Sequence, residues 1–276
     1  MIDYATLLNL LVHFTEEEQD QTELAPHVFH PSQLGNTCLR QVYLHKLELT
    51  DIPRGPALVG TLIHEFIENN LCWLTEEYPD TLKALSIDPE QVQQLEFEQR
   101  VSDDLGGIIL KGRYDLFDPV DEVIVDWKTK ADLDRVHLPI EEDLEQLTLY
   151  MYLQDAPAGQ LVYIDRADFS TQPFPDRTAQ HSVAYDEQIF KRLIARAWLV
   201  RQAIETHGIA TAPEEIPFER CGCWKCEREE QTLDLPDNPP AFKFPPRTGP
   251  PDCVDEDTLE NVRSSSQIKT RGGYSR

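Results

Sequence analysis

Four of the six cysteines stand as Cys38 and the close-set group Cys221-Gly-Cys223-Trp-Lys-Cys226. Thiolates are soft ligands, and four of them suit an all-cysteine iron–sulfur cluster or a zinc site. A single site holding all four would bring position 38 beside position 221, fastening the first helix of the core to the segment after the last one. The remaining possibility, unliganded thiols, leaves a close-set group open to oxidation. An intracellular chain of this size gains no disulfide framework from its cysteines. Cys72, among Leu71, Trp73 and Leu74, reads as a buried structural thiol, and Cys253 as a weak substitute ligand.

Charge narrows the partners less than it first suggests. Lys and Arg number 25 against 50 Asp and Glu, a net charge of −25. Such a balance excludes an indiscriminate polyanion-binding coat, but it does not describe the charge inside one cleft. The apolar share of 40% suffices for a real core. No run approaches the ~20 apolar residues of a membrane span, and the start lacks the basic region and cleavage site of a signal peptide. A cytoplasmic protein without a membrane partner is expected.

The pattern divides the chain into three stretches. Residues 1–29 read as an N-terminal helix followed by an acidic linker holding Glu16, Glu17, Glu18, Asp20 and Glu23. Residues 30–230 carry the core. Ser32 is placed to cap a short helix bearing Leu34, Cys38, Leu39, Val42 and Tyr43. A second helix over about 57–73 sets Leu58, Leu62, Ile63, Phe66, Ile67 and Leu71 on an apolar face, with His64 beside it. Alternation over 95–101, a Gly106-Gly107 turn, a partner over 108–117 and a third run over 122–129 predict an antiparallel three-strand meander. A helix over 139–154, a strand over 160–165, a strand near 179–185 and a helix over 186–207 follow. Residues 231–276 are a linker and tail: 236–251 hold seven of the 20 prolines, and Arg263, Lys269, Arg271 and Arg276 give an acid-free, disorder-prone end.

Chemistry concentrates on the meander. Asp115 is expected to end the second strand, and Asp126-Trp127-Lys128 the third. Residues two apart on a strand share a face, so Asp126 and Lys128 project together. Two carboxylates and an ammonium on one sheet edge are what a divalent-metal phosphodiesterase requires, the acids holding the ion and the lysine polarising the attacking water. An exposed ion-pair ladder uses the same residues. Gly60 one turn before His64 allows close backbone approach, and a neutral imidazole is a nitrogen ligand. Gln146 and Tyr150, spaced i, i+4, present an amide and a phenol on one helix face.

In this order, Cys38 with Arg40, Gly60-x3-His64, Gly112-Arg-Tyr-Asp115, Asp126-Trp-Lys128, Gln146-x3-Tyr150 and the final cysteines resemble the PD-(D/E)XK nuclease superfamily. The resemblance is to the RecB-type branch with an iron–sulfur cluster, which includes CRISPR-associated exonucleases and AddB-type helicase-nucleases, and it covers about residues 30–230. It implies an α/β fold, a restriction-endonuclease-like core with a central mixed sheet of about five strands flanked by helices. It further implies that His64, Asp115, Asp126 and the Trp127 carbonyl hold Mg²⁺ or Mn²⁺, that Lys128 is the catalytic lysine, and that Gln146 and Tyr150 support substrate and lysine. Cys38, Cys221, Cys223 and Cys226 would bind a 4Fe-4S cluster, with zinc as the alternative. Two departures stand out: the last cysteines are spaced Cys221-x-Cys223-x2-Cys226 where the family has C-x2-C and a wider gap, and Leu39 replaces a common proline.

The expected activity is a metal-dependent DNA nuclease acting on single strands or duplex ends, in DNA repair, recombination, CRISPR or phage DNA processing. Its partners would be DNA and a helicase or CRISPR adaptation proteins. The rival readings are a non-catalytic DNA-end-binding module and a structural subunit stapled by an iron–sulfur or zinc site.

Overall fold

A bent strand pair links two sheets and sets the geometry of everything that follows. The computed structural model describes residues 25–49, 54–166, 178–223, 225–228, 233 and 235. The helix expected over 1–13, the acidic run, the proline-rich segment, the basic tail, Cys253 and the Cys72 side chain lie outside the described residues.

The chain enters through β1 (Val28–Phe29), α1 (Pro31–Leu34) and α2 (Leu39–Lys46). The single capped helix expected here is two. His30, not Ser32, caps α1, Gly35 closes it, and Cys38 is the N-cap of α2, extended at φ −100° rather than helical. The long α3 (Arg54–Glu77) follows, then α4 (Pro79–Ala84) and α5 (Pro89–Gln94). On α3 the inward stripe is Gly60, Ile63, His64, Ile67, Leu71 and Leu74. Leu62 and Phe66, expected on the apolar face, are 55% and 64% exposed. With 3.6 residues per turn, one face takes His64 and Ile67 while Leu62 and Phe66 rotate to the opposite side.

The expected hairpin is cut in two places. Its first arm is β2 (Glu96–Phe97) and β3 (Arg100–Asp104), its second β4 (Ile109–Arg113) and β5 (Leu116–Asp118). Glu98, at φ 51°, breaks the first arm, and its N–H donates to the Asp115 carbonyl at the break in the second, 3.1 Å away. Beyond the bend, β3 and β4 join β1 in a three-stranded sheet. On the near side, β2 and β5 enter a five-stranded sheet with β6 (Val123–Lys130), β7 (Ala158–Asp165) and β8 (Thr178–Ala184), in the order β2-β5-β6-β7-β8. Only the β6–β7 pair is parallel, so the sheet is mixed.

Between the parallel strands the chain crosses over through α6 (Glu141–Gln154), and after β8 it runs into α7 (Glu187–His207), capped by Asp186. The α6 helix is buried on nearly every side. Leu149 belongs to one core with Phe29, Tyr43, Leu193 and Ile194. Leu147, Tyr150 and Met151 belong to a second with Ile124, Leu161 and Tyr163. Burying both faces leaves α6 little freedom to slide, which matters because it carries part of the site. The result is a restriction-endonuclease-like arrangement, a mixed five-stranded sheet flanked by helices.

Candidate functional site

Strand alternation puts Ile124, Asp126 and Lys128 on the α6 side of β6. Asp126 lies mid-strand, not at the strand end the sequence suggested, because β6 continues to Lys130. The Asp126 residue is 1% exposed. Asp126 Oδ2 lies 2.8 Å from Lys128 Nζ, and the same ammonium donates to Gln146 Oε1 at 2.9 Å. Burial pushes the Asp126 carboxyl up to about 7, against the pull of Lys128. Burial works to lower the lysine, but the carboxylates of Asp126, Asp115 and Asp143 outweigh it and hold it above its ordinary value. Lys128 is therefore a fixed cation and hydrogen-bond donor here, not a proton acceptor.

Asp115 sits in the break between β4 and β5 rather than at a strand end, released from the ladder and turned toward β6. Its Oδ2 accepts the Trp127 N–H at 2.7 Å, and its Oδ1 lies 3.3 Å from His64 Nδ1. The other imidazole nitrogen, Nε2, is 3.2 Å from the Trp127 carbonyl oxygen. Burial alone would lower the His64 pKa, yet the Asp115 hydrogen bond and the charges of Asp115, Asp126 and Glu98 raise it. A protonated ring donating to both oxygens satisfies that geometry. At Gly60 the expected close approach is looser than required: a Cβ there would meet Thr129 Oγ1 at 3.7 Å, an ordinary contact.

Tyr150, one turn beyond Gln146 on α6, is 6% exposed. Burial and the Asp126 charge raise its phenol, so it stays neutral while it hydrogen-bonds Gln146. Gly112 is the residue that makes room for it. A Cβ at that position would lie 2.8 Å from Tyr150 Cε1 and 3.0 Å from Pro31 Cδ.

Glu98 is the site residue that sequence reasoning missed. Its Oε1 is 4.0 Å from His64 Nδ1, and Arg113 Nε pairs with its Oε2 at 2.6 Å. His64, Glu98 and Asp115 offer ligand atoms all within 4.8 Å of one another. Asp126, turned onto Lys128, is not a member of that set. Its buried Oδ2 has the Lys128 ammonium as its partner at 2.8 Å. A buried carboxylate coupled electrostatically to the His64 imidazole and the Asp115 carboxylate suits a hard divalent cation nearby.

The cysteines form a second centre. Cys38, Cys221, Cys223 and Cys226 bring their sulfurs within 4.8 Å of one another. Hydrogen bonds with Cys226 and Cys38 push the Cys223 thiol well down, while hydrogen bonds with Cys223 and Cys226 push Cys38 up. All four are free thiols.

A family model of the PD-(D/E)XK nuclease superfamily matches residues 11–230, most of the chain. The chain belongs to the PD-(D/E)XK nuclease superfamily. A comparison with curated protein sequences finds no match. Among solved structures, SSO0001 is 20% identical, covering 72% of this chain and 87% of its own, with a TM-score of 0.47. A putative exonuclease from Eubacterium rectale is 12% identical over 84% and 95%, with a TM-score of 0.46. An alkaline exonuclease from Laribacter hongkongensis is 10% identical over 67% and 90%, with a TM-score of 0.44.

In this PD-(D/E)XK member the structure brings His64, Asp115, Asp126, the Trp127 carbonyl, Lys128, Gln146 and Tyr150 into one cluster of contacts, and Cys38 with Cys221, Cys223 and Cys226 into another. The only advance signal for Glu98 was its place in the alternating run Leu95-Glu-Phe-Glu98, which pairs it with Glu96 as an outward residue. The left-handed backbone at Glu98 overrides that alternation.

Proposed function

We propose that the chain is a metal-dependent DNA nuclease of the RecB-like exonuclease kind, hydrolysing phosphodiester bonds in single strands or at duplex ends. One observation carries the reading. Lys128 Nζ is held between Asp126 Oδ2 and Gln146 Oε1 beside His64 and Asp115, a placement with no purpose in a surface ion-pair ladder, which would be exposed.

His64, Asp115, Asp126 and the Trp127 carbonyl are the proposed ligands of Mg²⁺ or Mn²⁺, with Glu98 added on the strength of its position. A divalent ion there supplies Lewis acidity to a phosphate oxygen and lowers the pKa of a bound water. The chain's own groups do the rest. Lys128, kept cationic, orients the attacking water and balances charge that grows on the phosphorus oxygens. Gln146 fixes the ammonium's direction, and buried Tyr150 holds Gln146. Water oxygen bonds to phosphorus as the bond to the sugar oxygen in line with it breaks; the water gives up a proton to solvent, and the sugar oxygen leaves with the electron pair and is protonated from solvent.

The test is cleavage of single-stranded and blunt duplex DNA with Mg²⁺ or Mn²⁺ by the original protein, Asp126→Ala and Lys128→Ala. Each substitution is expected to lower kcat by at least about 100-fold, the loss typical of removing one preorganised charge. Substituted proteins as active as the original would remove the assignment.

A further inference from the structure

The four cysteine sulfurs lie closer together than the thiolates around an iron–sulfur cluster. Cys38 Sγ and Cys226 Sγ are 3.6 Å apart, and all four sulfurs fit within 4.8 Å of one another. A tetrahedral ion with metal–sulfur bonds of about 2.3 Å puts its sulfurs about 3.8 Å apart. In a 4Fe-4S cubane each thiolate rides outward on its own iron, so neighbouring thiolate sulfurs stand roughly 6 Å apart. Sulfurs within 4.8 Å of one another match the single-ion spacing more closely than the cluster spacing.

Local backbone explains how so short a motif converges. In an extended Cys-x-Cys the two side chains share one strand face but lie a full two-residue rise apart. Gly222 takes φ 74°, a left-handed conformation natural to glycine, and folds Cys223 back beside Cys221. The chain then enters a helical turn over residues 225–228, closed by the Glu227 N–H on the Cys223 carbonyl at 3.1 Å. Cys223 and Cys226, three apart across that turn, face the same side. Cys38 completes the set from the N-cap of α2, where Asn36 Oδ1 accepts its N–H at 3.2 Å. Three ligands thus come from one tight knuckle and the fourth from a fixed helix start.

We infer that Cys38, Cys221, Cys223 and Cys226 form a closed, mononuclear tetrathiolate site for a zinc-class ion, in place of the 4Fe-4S cluster that the family resemblance implies. The site has no open coordination position and is structural: it staples α2 to the segment beyond α7. This inference does not depend on the nuclease reading, since the thiolate site shares no residue with the His64, Asp115 and Asp126 cluster.

The experiment is metal and sulfide analysis of the full chain, expressed with iron and cysteine supplied and purified without oxygen. The expected result is about one zinc per chain, no acid-labile sulfide and no visible absorption. His64→Ala should keep that zinc, and Cys226→Ser should lose it. Because Cys226→Ser can also unfold the chain, the original protein is stripped of metal and titrated with Co²⁺. One equivalent should produce the thiolate charge-transfer and ligand-field bands of tetrahedral cobalt, and Zn²⁺ should bleach them. About four irons with four labile sulfides per chain, zinc lost from His64→Ala instead, or a Co²⁺ spectrum without tetrahedral thiolate bands would each overturn the inference.

Discussion

Lys128 remains charged despite being mostly buried, and the reason lies in three carboxylates, Asp126, Asp115 and Asp143, whose attraction exceeds the cost of removing the ammonium from water. The same logic of close neighbours explains Gly112, which precedes Asp115 by three positions. A side chain there meets the Tyr150 ring on one side and the Pro31 ring on the other, and neither ring has a flexible end that can swing away. Gly112→Ala is expected to destabilise the protein by about 1–3 kcal/mol, the usual cost of overpacking, read as a lower urea midpoint with an unchanged m-value. It should also reduce cleavage, because moving Tyr150 disturbs Gln146. A midpoint equal to that of the original protein would mean that the rings yield freely. The glycine was visible in the sequence as part of a motif, but its purpose was not, since that depends on partners at positions 31 and 150. Glu98 was invisible for a related reason: alternation assigns a side to each strand residue only while the strand stays regular.

At the scale of elements, the sequence showed which segments are helices and strands better than where they break. Periodicity located α3, α6, α7, β6, β7 and β8 within a few residues. It read 95–101 and 108–117 as unbroken arms because a bend between two sheets leaves hydrophobic alternation almost intact. That bend is what delivers Asp115 and Glu98 to His64. The other element that matters is α6, and charged residues rather than apolar ones fix its direction. Glu145 is fully buried, with Arg192 on Oε1 at 2.7 Å and Arg196 on Oε2 at 2.6 Å. Arg196 also donates to the Asn36 carbonyl, and Lys225 of the cysteine knuckle reaches Glu142 one turn before Gln146. The α6 turn that supplies Gln146 is thus tied to α7, to the Cys38 approach and to the knuckle. Glu145→Ala would leave Arg196 buried without its counter-charge, so a loss of about 3–5 kcal/mol is expected by chemical denaturation. A loss below 1 kcal/mol would show that water or a rearranged partner takes over the arginines.

For the whole molecule, the net charge of −25 and the acid-lined site together set how substrate is held. Loose binding to DNA comes mainly from lysines and arginines neutralising phosphates and releasing counterions. In the proposed site a scissile phosphate would approach Asp115, Glu98 and Asp126, and the nearby cations are already engaged, Lys128 with Asp126 and Arg113 with Glu98. Without a divalent ion the phosphate meets unscreened like charge at short range, an interaction that a low local dielectric makes costly. The expected outcome is DNA binding at least about tenfold weaker in a chelator than in Ca²⁺ at physiological salt, followed by fluorescence anisotropy of a labelled single strand. Ca²⁺ is chosen to fill oxygen-ligand sites with little cleavage during the titration. Asp126→Asn, which removes one of those charges and weakens the cation site, should narrow the difference between the two conditions from both sides. Equal and tight binding in chelator and in Ca²⁺ would place the DNA contact away from the acidic cluster, and would separate binding from the site at which the backbone is cut.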